Sequence, residues 1–151
     1  MNYEIKVEEV GEQPAAAVMK QVPLAQVGQF IGEAFDLVMA ALNAQHVSPA
    51  GPPFARYRMH GDTFDVTAGF PTMQPMVASG RVVPVSLPRG KVATTMHVGA
   101  YYAVKHAYDA IMEWLPEHGL HVAGDPWEVY LDGPEVAEPR TIIRVPCQRS
   151  E

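Results

Sequence analysis

Gly124-Asp125-Pro126-Trp127-Glu128-Val129-Tyr130 decides how this chain is read. Aromatic and β-branched residues following Gly and Pro breakers mark a β-strand. A carboxylate between two large aromatics is unusual for plain core. The stretch has a counterpart in Gly51-Pro52-Pro53-Phe54-Ala55-Arg56-Tyr57. The two match position for position: Gly51 with Gly124, Pro53 with Pro126, Phe54 with Trp127, Tyr57 with Tyr130. Ala55 stands where the second copy has Glu128. The chain thus reads as two related halves, one of which carries an acid that the other lacks.

Working outward, residues 3–10 and about 14–21 read as two short strands around a Gly11–Pro14 turn. Pro23 opens a helical stretch to about Gln45, in which Val27, Ile31, Ala34, Val38 and Ala41 recur on one face. Phe54–Met59 and Thr63–Phe70 follow as strands joined by His60-Gly61-Asp62. The pattern then repeats. Arg81–Leu87 and Lys91–Val98 are strands around Pro88-Arg89-Gly90. Residues 101–115 form a helix with Tyr101, Val104, Tyr108, Ile111 and Leu115 on one face, terminated by Pro116 and Gly119. Trp127–Leu131 and Arg140–Val145 close the half as strands around Asp132-Gly133-Pro134. The predicted class is α+β: a duplicated β-β-α-β-β repeat with pseudo-twofold symmetry, forming an antiparallel sheet with two helices on one face and a central ligand groove. One domain spans 1–151, with halves of about 1–79 and 80–151.

Bulk composition narrows the function. At 151 residues, 48% apolar and 19% charged, the chain can bury a core without disulfide or metal. No apolar run is long enough to span a membrane, so no membrane partner is expected. The opening stretch Met1-Asn2-Tyr3-Glu4-Ile5 alternates like a strand and lacks the basic and apolar regions of a signal peptide. The single Cys147 excludes an intrachain disulfide, and a reducing cytoplasm is the expected setting. The net charge is −6 with 11 scattered Lys and Arg, which argues against direct nucleic-acid binding.

Strand alternation puts Glu128 and Tyr130 on one face and Trp127, Val129 and Leu131 on the other. The second set is the more apolar and is expected to face the helices. Glu128 then points into the groove with Tyr130, opposite Tyr57. A carboxylate in that setting needs pairing: tyrosine hydroxyls could supply it, and a bound cation would supply it more strongly, with cation–π attraction of about 0.5–2 kcal/mol. The competing reading is a solvated glutamate on a sheet edge. Tyr101 and Tyr108, at helical spacing, also suit plain core. His118 and His121 lack the further ligands of a zinc site, and no metal or other cofactor is expected. Cys147 reads as a small buried hydrophobe.

His97-Val98-Gly99-Ala100-Tyr101, Ala107-Tyr108, Trp114-Leu115 with Gly119, Pro126-Trp127-Glu128-Val129-Tyr130-Leu131, Thr141-Ile142-Ile143 and Val145-Pro146 occur in one order. In that order the chain resembles the gyrase-inhibitor-like family, also called the bacterial transcription-activator effector-binding domain. The resemblance implies two repeats around a groove that takes lipophilic, often cationic compounds. It places the family's acidic groove residue on Glu128 and groove aromatics on Tyr57, Tyr101 and Tyr130. Ala100 stands where the family often has proline, and Asp132-Gly133-Pro134 is one residue longer than the commoner Asp-Pro.

Three functions follow as expectations. The first is a small-molecule-binding module that senses or sequesters a lipophilic, aromatic or cationic xenobiotic. The second, implied by standalone family members, is a hydrolase of strained, cyclopropane-type electrophiles. In it Glu128 is the general base and Tyr130 or Tyr101 positions the water. The third is an adaptor with a protein partner, gyrase or a separate regulator. The sequence sets no oligomeric state.

Overall fold

The computed structural model describes residues 3–133 and 135–150. Met1 and Asn2, Pro134 of the expected Asp132-Gly133-Pro134 turn, and Glu151 lie outside the described residues. The chain divides into a middle unit, residues 12–88, and a terminal unit, residues 1–11 with 89–151.

The middle unit contains β2 (Gln13–Pro23), α1 (Val27–Gln45), β3 (Phe54–His60), β4 (Thr63–Pro71) and β5 (Val83–Leu87). All its pairings are antiparallel: β5 with β2, β2 with β4, and β4 with β3. Pro23 ends β2 instead of opening the helix, and a short 3-10 turn, Leu24–Gln26, intervenes. The buried stripe of α1 is Phe30, Ala34, Val38, Ala41 and Leu42. It is the expected face, sharing Ala34, Val38 and Ala41, with Phe30 and Leu42 added and Val27 and Ile31 only half-buried. That stripe packs on β2 and β4. The β3–β4 hairpin turns at Gly61, whose φ of +65° suits glycine.

The terminal unit contains β1 (Lys6–Val10), β6 (Gly90–Val98), α2 (Lys105–Glu117), β7 (Leu120–Val122), β8 (Trp127–Tyr130) and β9 (Arg140–Arg149). Here too the pairings are antiparallel: β1 with β6, β6 with β9, and β9 with β8 and with β7. β7 has no clear strand signal in the sequence. A core of Ala93, Ile143, Val145 and Cys147 from the sheet and Ala107, Ile111 and Leu115 from α2 holds helix to sheet. Each large aliphatic side chain there contributes about 1.5–3 kcal/mol by leaving water.

The α+β class and the antiparallel sheet with two helices are observed. The strand partners differ from the contiguous division near residue 80. The N-terminal strand does not pair with its neighbour across Gly11–Pro14; β1 lies beside β6. Likewise β5 does not pair with β6 across Pro88-Arg89-Gly90 but lies beside β2. Turn residues mark where the chain bends, and a bend alone does not choose a strand's partner. Among the described residues, no helix is long and apolar enough to cross a membrane.

Two backbones approach closely at Gly69 in the middle unit. A Cβ added there would run into the backbone carbonyl of Ala16 on β2. Gly69→Ala should destabilise the fold by about 3 kcal/mol through overpacking. At Gly32, on the open side of α1, an added Cβ would meet nothing within 4 Å. Gly32→Ala should therefore stabilise by about 0.5–1 kcal/mol. Urea unfolding of both variants followed by circular dichroism checks the contrast; equal effects would contradict the β2–β4 register.

Candidate ligand-binding site at Glu128

Register on β9 fixes which way Glu128 faces. Glu128 is paired with Ile143, and Ile143 on its other side with Thr95. Residues directly opposite share a face. Ile143 belongs to the core beneath α2, so Glu128 points to the helix-covered face. The expectation that Trp127, Val129 and Leu131 face the helix is therefore corrected: Trp127 lies on the opposite face, beside Arg144. Apolar bulk misleads here because both faces of β8 are covered: Trp127 is 2% exposed and Glu128 8%. That burial also removes the reading of Glu128 as a solvated edge residue.

Two phenols satisfy the carboxylate. Tyr108, near the start of α2, donates to Oε2 at 2.7 Å. Tyr130, two residues along β8, donates to Oε1 at 2.8 Å. Removal from water pushes the Glu128 pKa up; the Tyr108 and Tyr130 hydrogen bonds, and the charge of the His97 ring when it is protonated, pull it back without cancelling the rise. Among the described residues, no lysine or arginine pairs with this carboxylate.

The surrounding chain holds these groups still. Tyr101 precedes α2 in a 3-10 turn and meets the Tyr130 ring edge-on, centroids 5.8 Å apart. Its hydroxyl donates to the Asp132 carbonyl at 2.6 Å. Burial, then the nearby Glu135 and Asp132 charges, raises the Tyr101 pKa, so it stays a neutral phenol at physiological pH. Asp132 is itself gripped by Arg140, with Nε to Oδ2 at 2.8 Å, Nη2 to Oδ1 at 3.1 Å and the backbone N–H to Oδ2 at 3.0 Å. This fork holds the Asp132 carboxyl below its ordinary range.

His97 supports the same turn from the sheet. Its Nε2 lies 2.9 Å from the Ala100 carbonyl, which can only accept, so Nε2 carries the proton. In the neutral ring, Nδ1 then accepts from the Tyr3 hydroxyl at 2.9 Å. Gly99, at φ +122°, lets the chain bend between His97 and Tyr101. Thr141, between His97 and Tyr130 in register, is fully buried, and its hydroxyl has no hydrogen-bond partner among the described residues.

Of the sequence-derived site residues, Glu128, Tyr130 and Tyr101 come together. Tyr57 belongs to the middle unit, on β3, where its ring meets Phe64 edge-on. Ala55, the counterpart of Glu128, is wholly buried. Sequence reasoning missed Tyr108, His97 and Thr141. Tyr108 had a usable signal, since it lies seven residues after Tyr101 on one helical stripe. His118 stacks on Trp114 at 3.8 Å, and His121 reaches Ser150 at 3.3 Å. Among the described residues, no group of three or more His, Cys, Asp or Glu is placed to hold a metal. Cys147 is buried, which pushes its thiol pKa up and leaves it unreactive.

A raised carboxyl pKa makes stability pH-dependent. Below the ordinary carboxylate range, Glu128 is protonated both folded and unfolded, and no penalty arises. As pH rises, the unfolded chain loses this proton first, so the folded state loses stability until its own raised pKa is passed. Glu128→Gln removes the titration, and the phenol hydroxyls can rotate to serve either end of the amide. Across that window the stability difference should move in favour of the variant as pH rises. Urea midpoints from mildly acidic to neutral pH measure it; a constant difference would mean that Glu128 titrates as if in water.

Known proteins share this architecture. The family model of the GyrI-like small molecule binding domain matches residues 3–148. No curated protein matches the chain. The EcmrR C-terminal domain superposes with TM-score 0.84 at 19% identity, covering 99% of each chain. Of the longer EcmrR chain in its DNA complex, the chain spans 58%. A hydrolase from Listeria innocua gives TM-score 0.67 at 15% identity, over 96% of this chain and 92% of that one. SAV2435 bound to tetraphenylphosphonium gives 0.68 at 12% identity, over 96% and 94%. At such identities the structures share a fold, while the family match covers nearly the whole sequence. The chain belongs to the GyrI-like family of small-molecule-binding domains.

Proposed function

We propose that the Glu128 site binds lipophilic organic cations, and that the protein senses or sequesters such compounds. The observation that carries this is a buried carboxylate whose partners among the described residues are two phenols and no basic side chain. Phenols stabilise the anion only in part, since its pKa stays raised. A cation that meets this carboxylate supplies the missing charge compensation. The half-buried rings of Tyr101, Tyr108 and Tyr130 offer it aromatic faces, worth about 0.5–2 kcal/mol through cation–π attraction. SAV2435, of similar fold, is bound to tetraphenylphosphonium, a cation of this class.

Two outcomes follow. Glu128→Gln should weaken cationic dyes and tetraphenylphosphonium by about tenfold or more, roughly 1.4 kcal/mol. Neutral dyes of like size should bind the variant as they bind the natural protein. Wild-type affinity for the cations should also rise with pH through the raised Glu128 value, because only the ionised form attracts them. Fluorescence titrations across pH test both. Equal losses for cationic and neutral dyes would sink the charge role.

A second reading is hydrolysis of a strained, cyclopropane-type electrophile with Glu128 as general base. The unpartnered Thr141 hydroxyl favours it, because it sits on the Glu128 face next to Tyr130 and is a suitable anchor for a water. A carboxyl whose pKa is raised toward neutrality is also the better base. The L. innocua hydrolase shares this fold. Incubation with a panel of strained electrophiles should give products heavier by one water in mass spectrometry, lost in Glu128→Gln. Cation binding without any hydrated product leaves the binding module as the function.

A further inference from the structure

We propose that the face of the terminal sheet opposite α2 carries a second ligand site, specific for a carboxylate with an apolar body. It is independent of the Glu128 site. Its basis is a single cross-strand row. Lys6 on β1 pairs with Thr94 on β6, Thr94 with Arg144 on β9, and Arg144 with Trp127 on β8. All four side chains therefore share one face.

Each member is a hydrogen-bond donor, and three carry a buried polar atom without a partner among the described residues: Thr94 Oγ1, Arg144 Nε and Trp127 Nε1. Thr94 is 6% exposed and Trp127 2%. Such orphaned atoms are uncommon in native proteins and unfavourable. Here three fall on adjacent positions of adjacent strands. Arg144 is half-buried and has no carboxylate partner among the described residues. A partly desolvated guanidinium in that state favours an anion.

The shape of the row narrows the anion. Arg144 Nε is buried and unpartnered among the described residues, so a carboxylate that entered beside the guanidinium would meet its Nε/Nη edge, whose parallel N–H bonds match the two carboxylate oxygens. The indole N–H and the threonine hydroxyl lie on either side to fill remaining lone pairs. The flanking rows on this face are apolar: Val129, Ile142 and Met96 on one side, Pro146 and Val92 on the other. The acid on this face in that second row is Glu8, 3.9 Å from Lys6 and paired with it. A charged head on Arg144 with an apolar body along Val129, Ile142 and Met96 fits this arrangement.

Benzoate is the probe, with acetate, inorganic phosphate and chloride at equal ionic strength and neutral benzyl alcohol as comparisons. Benzoate should raise the melting temperature saturably and shift one indole N–H signal in the proton–nitrogen spectrum. With two tryptophans in the chain, Trp127→Phe assigns that signal. Arg144→Met should abolish the response, and without ligand it should be no less stable than the natural protein, since it removes a half-buried charge without a carboxylate partner among the described residues. Arg149→Gln, on an exposed arginine, should keep the response. Equal stabilisation by phosphate, chloride or benzyl alcohol would overturn the site, as would a response that survives Arg144→Met. Strong destabilisation of ligand-free Arg144→Met would do so as well, by showing that the guanidinium is already satisfied.

Discussion

β9 hydrogen-bonds to β6, β7 and β8, and its register places nearly every group of interest in the terminal unit. Ile143 sets Thr95 and Glu128 on one row, and Thr141 sets His97 and Tyr130 on the next. Both rows face α2. Arg144, one residue along, sets Thr94 and Trp127 on the opposite face. A slip of one residue would exchange these faces: Glu128 would leave Tyr108, and Trp127 would turn onto the helix. The buried run Thr141, Ile143, Val145 and Cys147 resists that slip, because it would put four buried side chains on the wrong face. Packing under α2 therefore determines where the carboxylate sits, and the chemistry of the site depends on an apolar stripe.

Within that frame the carboxylate is held in imbalance. Burial disfavours its charge, and the two phenols and His97 favour it without overcoming the burial. The supports are layered. Arg140 grips Asp132, whose carbonyl takes the Tyr101 hydroxyl, and Tyr101 braces the ring of Tyr130. From the other side Tyr3 meets His97, and His97 holds the Ala100 carbonyl just before Tyr101. Both lines of support end at the tyrosine pair beside Glu128. Rigid placement of partners keeps the desolvated carboxylate from relaxing toward water, so its raised pKa is a property of the fold.

Much of this is legible in the sequence, and the failures share one cause. Local patterns read well: both helices, the β3–β4 hairpin at Gly61, and the strand bearing Glu128 and Tyr130 follow from spacing and turn residues. Partnerships across long sequence distance do not. Turn signals assign β1 and β5 to their chain neighbours, yet β1 joins β6 and β5 joins β2. The face of Glu128 is misread for a related reason: alternation tells which residues share a face, and only pairing with Ile143 tells what covers it. Tyr108 looks like core because helical periodicity cannot separate a ring packed in oil from one whose hydroxyl reaches across to a strand. His97 and Thr141 have no distinguishing local signal at all; their significance comes from lying beside each other on adjacent strands.

The desolvation of Glu128 also bears on how the proposed site would discriminate among ligands. A neutral apolar ligand that seals the site removes more water from the carboxylate, drives its pKa further up and leaves it protonated. A cation of the same size excludes the same water but supplies the opposite charge, so the carboxylate ionises as the ligand binds. Charge selectivity then needs no rearrangement of the fold, only a change of protonation at one buried group. A hydrolytic role would meet the same constraint. A general base must be ionised when its water is in place, and a neutral substrate that displaces solvent works against this unless the tyrosine hydroxyls hold the anion. Tyr108 and Tyr130, each with one bond to a different oxygen, leave each oxygen a further lone pair for a water. On either proposed role, cation binding or water activation, the outcome turns on what the ligand itself does to the charge on Glu128.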